Sequence, residues 1–369
     1  MRFHWLLPAV DEGRAVTSVM RGAHAPGHGA HLADRTPDLR HATQVAQAVE
    51  HMGFDAVHTP AAPSGEGAWL TGMALARSTD RLKVVIALRP DAVPATVAAQ
   101  TAATFRHDFP GRLALNTVTG DEAAEQAGLG DHLNKTAQRY ARTDEWLTVL
   151  RNLWTRDPFD VAGSHHDAPA AAFCTPPNPH PCLYIDASSL EAGPVAARHA
   201  GTCLIQGESP GQVADKLSRI QSLAAAQGRT VRFGIRFHVV ARDTSQQACA
   251  AAEQLVAGID VQQMEQAQAT LDTGRPAGQT RVRSLRSTYR RSGRPADSEV
   301  YPNVWAGTKL LQGDADTALV GSHREVATRI EEYAALGIEE FILSGFPHME
   351  EAHQVGEGVL PLLDAETNR

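Results

Sequence analysis

The sequence predicts a (β/α)8 TIM barrel with loop insertions, on three observations. Short apolar runs alternate with longer amphipathic ones along its 369 residues. The short runs are almost continuously apolar, as strands covered by helices on both sheet faces are. Eight such runs over this length suit a closed barrel better than an open doubly wound sheet. Periodicity does not show closure, so the open sheet stays as the alternative.

The elements follow in order. A first strand spans Arg2–Leu7 and is stopped by Pro8 and then by Asp11-Glu12. The helical pattern Asp38–Met52 ends at Gly53, and a strand follows at Asp55–His58. Helix Ala68–Ser78, strand Lys83–Leu88, helix Pro94–Phe109 and strand Leu113–Val118 come next, then helix Thr136–Trp154. Strands Cys182–Ile185 and Thr202–Ile205 flank helix Leu190–His199. Helix Pro210–Gln227 ends at Gly228 and leads to strand Val231–Ala241. Helix His323–Leu336 repeats Val326, Ile330, Tyr333 and Leu336 at three- and four-residue spacing, ends at Gly337, and precedes strand Glu340–Ser344. Insertions fall at about 16–37 (rich in Gly, His and Pro), 155–180 (Pro-rich) and 244–320, all read as loops on one domain covering 1–369. The third mixes helical runs, Ser245–Gly258 and Val261–Leu271, with an Arg-rich segment from Arg281 to Arg294.

Composition narrows the function. Lys and Arg number 34 against 42 Asp and Glu, a net charge of −8 that argues against a nucleic-acid binder or a polybasic membrane sensor. Four cysteines without a CxxC pair predict neither a disulfide scaffold nor a structural zinc site, and a reducing compartment. No apolar stretch reaches the roughly 18 residues that span a bilayer, and the apolar start Trp5–Val10 lacks a cleavage pattern. A cytoplasmic protein is expected. Walker, GxGxxG, GxSxG and HExxH motifs are absent, which removes the common nucleotidase, dinucleotide dehydrogenase, serine hydrolase and zincin readings.

Barrel enzymes work at the C-terminal ends of their strands, so polar residues there are the candidates. In Phe233–Val240, Arg236 and His238 alternate onto one face of an otherwise apolar strand. Burying that pair without an anionic partner costs several kcal/mol, so it should meet a substrate anion, an anionic oxygen species or a structural carboxylate. A salt bridge inside the barrel explains the spacing equally well. Asn116 and Thr119 close the fourth strand and suit either a heteroaromatic ring edge or a turn cap, with capping favoured. Ser188 and Ser189, before a helix, suit a phosphate or an N-cap, and Asp186 beside them would repel a phosphate. His24, His28 and His31, and His165-His166-Asp167, have metal-like spacing but lie in loops, so no metal is expected. The arginines from Arg281 to Arg294 read as an anion-facing lid or a solvated surface.

With these residues in view, the chain resembles the bacterial luciferase-like flavin monooxygenases, and within them the alkanesulfonate monooxygenase group. The similarity runs through Phe3–Pro8, Ser64–Leu70, Arg81–Pro90, Gly111–Gly120, Arg139-Tyr140, Phe233–Arg242 and Asn303–Gly307, and is most specific in Thr317–Gly321, Glu332–Ile338 and Leu343–His348. The resemblance implies a barrel that takes reduced FMN (FMNH2) from a separate NAD(P)H-dependent flavin reductase. It also implies O2 acting through a flavin peroxide, a small-molecule sulfonate cleaved to aldehyde plus sulfite, and a homodimer or homotetramer. It makes Arg236 and His238 catalytic, and sets Asn116, Thr119, Tyr140, Ser188 and Ser189 against the flavin ring or phosphate. It places positions 65, 69, 206, 312 and 346 in the substrate pocket. Trp69 stands at one of them. At the others the chain departs from the family: Gly65 replaces a cysteine, Gln206 a tryptophan, Gln312 an arginine and Phe346 a tyrosine. An aromatic-Gly-Gly-Ser-Ser segment has become Ile185–Ser189. Losing a cation and a hydroxyl weakens anion recognition and points to a repurposed pocket, so a non-sulfonate metabolite or a non-catalytic partner subunit are the alternatives.

Overall fold

A computed structural model describes residues 1–8, 38–61, 67–119, 136–154, 159–164, 167–171, 179–187, 189–257, 299–306 and 317–367. The chain divides into two compact units. One comprises Met1–Asp55, Gln206–Asp215 and Ile235–Arg369, and the other Ala56–Ile205 and Lys216–Gly234.

In the second unit the parallel strands β2 (Ala56–Thr59), β3 (Lys83–Leu88), β4 (Leu113–Thr117), β7 (Cys182–Asp186) and β8 (Thr202–Gln206) pair in that order. Both sheet faces are covered: in β3 only Lys83 is exposed and in β4 every residue is buried, which is why these strands read as continuous apolar runs. Helices α2 (Ala68–Ser78), α3 (Ala95–Asp108), α4 (Thr136–Leu153) and α5 (Ala192–His199) alternate with them, as does α6 (Pro210–Ala225), which begins in the first unit. Phe105 of α3 and Trp146, Leu147 and Leu150 of α4 are fully buried, each worth about 1.5–3 kcal/mol of burial free energy or more. The indole N–H of Trp146 donates to the Val93 carbonyl at 2.7 Å, so this large side chain buries no unpaired donor.

In the first unit, β1 (Arg2–Leu6) pairs in parallel with β13 (Glu340–Ser344), and β9 (Arg232–Arg242), which enters this unit at Ile235, pairs in parallel with β12 (Thr317–Ser322). The order is β10 (Glu299–Tyr301), β11 (Val304–Ala306), β12, β9, β13, β1. Helix α1 (Leu39–His51) starts where Asp38 accepts from the His41 N–H at 2.7 Å, buries Val45, Ala46 and Val49, and runs out at Gly53 with φ 91°. Helix α7 (Ser245–Ala257) covers β12, packing Ala248 and Ala252 on Ala318 and Val320. Helix α8 (His323–Ala335) is opened by a reciprocal capping box of Ser322 and Glu325, and Gly337 follows its end with φ 105°. The chain closes with α9 (His348–His353), a π-helical stretch Gln354–Val359 and α10 (Leu360–Thr367). No described helix is long and apolar enough to cross a membrane.

The eight expected strands are β1, β2, β3, β4, β7, β8, β9 and β13, and the fold is the expected (β/α)8 barrel. Two of the stretches read as loops contain strands. Within 155–180, β5 (Phe159–Ala162) and β6 (Asp167–Ala171) form an antiparallel pair. Near the end of 244–320, β10, β11 and β12 continue the sheet beyond β9. These strands are three to six residues long, too short for a period to emerge, and β12 runs straight into the cap of α8 with no turn residue between them. Helix α7 lies where a helical run was expected; Val261–Leu271, Arg281–Arg294, and His24, His28, His31, His165 and His166 lie outside the described residues.

Candidate active site

Arg236 and His238 lie on β9, the arginine half-buried and the histidine 3% exposed. Nδ1 of His238 faces Oγ of Ser344, the last residue of β13, at 3.4 Å. Its Nε2 has no hydrogen-bond partner among the described residues. Burial pushes His238 down to about 4, so the ring is neutral at pH 7. His348, at the start of α9, is also buried and is pushed down to about 3, first by burial and then by His238 and His41, with the Leu6 backbone opposing. Its ring meets Trp5 edge-on at 6.1 Å.

Phe346 is 4% exposed in the segment between β13 and α9, and adds only apolar surface there. Gln206 ends β8 half-buried, and the next residue, Gly207, donates to the Arg236 carbonyl at 3.0 Å. Any side chain at Gly207 is excluded, because a Cβ there would lie 2.1 Å from the Phe237 ring and 2.6 Å from Oγ1 of Thr317. Gln206 is thus held beside the strand that presents the Arg236 and His238 pair. Four residues beyond His238, Arg242 donates to both carboxylate oxygens of Glu351 on α9, at 2.9 and 2.5 Å. Burial pushes the Glu351 carboxyl up, and the Arg242 contacts pull it back.

The second unit assembles the hydroxyl and amide candidates. Register pairs Asn116 with Ala87 and with Tyr184, so the three share one face of the sheet. Asn116 is 5% exposed and its Oδ1 has no partner among the described residues. The ring of Tyr184 takes His58 edge-on at 5.9 Å. Thr119 is buried and accepts from Thr143 of α4 at 3.2 Å, and the turn it was expected to cap lies outside the described residues. Tyr140 lies one turn before Thr143 on α4, and its hydroxyl takes a hydrogen bond from Ser189 at 3.4 Å. Ser189 also accepts the Ala192 N–H at 3.1 Å, which satisfies the first backbone donor of α5. Asp186 is half-buried at the end of β7. Trp69 sits half-buried in the first turn of α2. Gly65, Ser188 and Gln312 lie outside the described residues.

The structure therefore joins Thr119, Tyr140 and Ser189 through α4 in one unit, and Arg236, His238, Gln206 and Phe346 around β9 and β13 in the other. Ser344, His348, Thr143 and the Arg242–Glu351 pair were not among the candidates. Ser344 carries the signal that selected Asn116, a polar residue closing an apolar strand. Thr143 and Glu351 are helical residues whose partners lie 24 and 109 positions away, which no local pattern announces.

An FMN ring edge offers an N–H donor in need of an acceptor, and the phosphate needs hydroxyl or N–H donors. The buried Oδ1 of Asn116, unpartnered among the described residues, suits the first need, and the Tyr140 hydroxyl, which takes a hydrogen bond from Ser189, suits the second, with Asp186 nearby in sequence as an unfavourable charge. These residues fit the group. The described residues hold no cluster of three or more metal-ligating side chains.

The model of the luciferase-like monooxygenase family matches residues 1–340. Among solved structures, riboflavin lyase with modified FMN and riboflavin is 20% identical over all of this chain and 92% of its own, with TM-score 0.71. EDTA monooxygenase from Chelativorans sp. BNC1 is 16% identical over 99% of this chain and 94% of its own, with TM-score 0.76. An F420-dependent secondary alcohol dehydrogenase with an F420-acetone adduct is 16% identical over 98% of each chain, with TM-score 0.68.

Proposed function

This chain belongs to the luciferase-like monooxygenase family and is a flavin-dependent monooxygenase, and from that premise we propose a two-component enzyme that takes reduced FMN from a separate NAD(P)H-dependent reductase and oxygenates a small organic anion, a sulfonate in the first instance, releasing aldehyde and sulfite. The observation that supports it best is the uncharged, buried His238 with Nε2 unpartnered among the described residues, on the strand that also presents Arg236.

Reduced flavin would supply the electrons with which dioxygen is activated. The chain's own residues do the rest. Asn116 would accept from the ring edge, and Tyr140 would donate to the phosphate with its hydroxyl oriented by the hydrogen bond from Ser189, with Thr119 holding α4 against β4. Arg236 supplies positive charge for an anionic substrate or oxygen atom. His238 is neutral at working pH, so it can give or hold a proton at Nε2 without placing a second charge beside the guanidinium. The apolar strands around them exclude water. A non-sulfonate substrate is the second reading, favoured by Phe346, whose ring offers an anion no hydroxyl.

Anaerobic titration of the protein with reduced FMN, followed by turnover with reductase, NADH, FMN, O2 and an alkanesulfonate panel, tests the reading. Saturable binding and sulfite release are expected. Binding without sulfite leaves the second reading, and no binding overturns both.

A further inference from the structure

Neutral imidazole carries one ring proton, and the partner of one nitrogen decides where it sits. His238 faces Oγ of Ser344 with Nδ1 at 3.4 Å, Nε2 of the histidine has no hydrogen-bond partner among the described residues, and this contact is the one that engages the serine hydroxyl among them. Two arrangements satisfy that contact. If Nδ1–H donates, the serine O–H and the bare Nε2 are both left unsatisfied. If the serine O–H donates, one group is left, the Nε2–H. Each unsatisfied buried polar group costs about 1–3 kcal/mol, so the second arrangement is favoured by roughly one such group.

The contact lies at the weak end of hydrogen-bond distances, and would mean little if Ser344 could drift. It cannot. At the next residue, Gly345, a Cβ would lie 2.2 Å from Cβ of Glu351 and 3.3 Å from Cη2 of Trp5, so the backbone is pressed against both. Glu351 is completely buried and held by Arg242, which belongs to the same strand as His238. The 344–351 segment is tied to β9 at both ends, once through Ser344 and once through Glu351.

We propose that Ser344 is a positioning residue whose hydroxyl donates to Nδ1 of His238 and keeps the ring proton on Nε2, where it serves as the site's hydrogen-bond donor. The proton's role toward an anionic oxygen rests on the flavin-monooxygenase reading above; the tautomer does not. The titratable group that bears on the ring is His348 on α9, and Nε2 of His238 has no hydrogen-bond partner among the described residues.

Nitrogen-15 NMR of the histidine side chains in the cofactor-free protein at neutral pH tests the assignment, with His238 identified by its loss in His238→Gln. The expected native spectrum has Nε2 protonated and Nδ1 bare. Ser344→Ala should mix or reverse the two, and Ser344→Thr, which keeps the hydroxyl, should restore the native pattern. A bare Nε2 in the native protein overturns the proposal whether or not any variant folds, and so does an unchanged spectrum in Ser344→Ala. Reduced-FMN titration of the same native sample is read separately: absence of binding there sinks the flavin reading and leaves the tautomer assignment standing on its own spectrum.

Discussion

Two histidines in different units are pushed down to the same value, about 4, and their surroundings differ in kind. His199, at the end of α5, has Nε2 3.0 Å from Oδ1 of Asp144, whose other oxygen takes Arg198 at 2.5 Å. Around it Arg151 reaches the Arg198 carbonyl, and Arg229 donates to the carbonyls of Ala197 and Ala200, closing the helix end. Nδ1 of His199 has no hydrogen-bond partner among the described residues, so each of the two rings has one partnered nitrogen, and the partners differ. Burial lowers His199 first, and Asp144 works against it. His238 is lowered by burial alone, with a serine on one nitrogen and the other unpartnered among the described residues. Equal shifts therefore do not mean equal roles. An imidazole whose partnered nitrogen meets a carboxylate joins elements together, whereas one that meets only a neutral hydroxyl, on a strand that also presents Arg236, is free of a competing charge and can serve a ligand.

Acid unfolding should show the largest effect. A histidine whose folded pKa lies below its unfolded value binds its proton more readily in the unfolded chain, so stability is complete above about pH 6.5 and is lost as pH falls toward 4. The loss approaches about 3 kcal/mol for His238 by pH 4. Asp144→Asn should steepen the acid limb, because it removes the group that raises His199, while His238→Gln should flatten it. Urea melts at stepped pH would measure both, and an unchanged limb in either variant would break the parallel between the two sites.

Next comes Arg236→Ala, expected to lower kcat/KM by about 100-fold or more while circular dichroism stays native. Turnover near the native level would remove Arg236 from the catalytic set. The smallest effect should come from the second unit: Asn116→Ala should weaken anaerobic binding of reduced FMN by about tenfold, the worth of one buried hydrogen bond. Unchanged affinity would place the ring edge elsewhere.

The strands were legible because each is buried on both faces, and a continuous apolar run is the direct trace of that burial. Arg236 and His238 were legible for the opposite reason, as polar residues at alternate positions in such a run. Ser344 has the same kind of trace, but a serine at a strand end is also an ordinary turn residue, and only the Nδ1 contact of His238 separates the two meanings. Ser189 shows the limit of local reading as well, since accepting the first N–H of α5 and meeting Tyr140 are compatible uses of one hydroxyl.

The amino-acid order by itself determined the eight strands, most of the helices between them, and which strand would set an arginine and a histidine on one face, because these depend on the 2.0 and 3.6 residue periods of the backbone. Only the tertiary structure decided that His238 is neutral, that its Nδ1 faces a serine 106 positions away, and that Arg242 and Glu351 tie the intervening turn to β9. Charge state and proton position depend on what lies within a few ångströms in space, and folding alone brings such distant residues together.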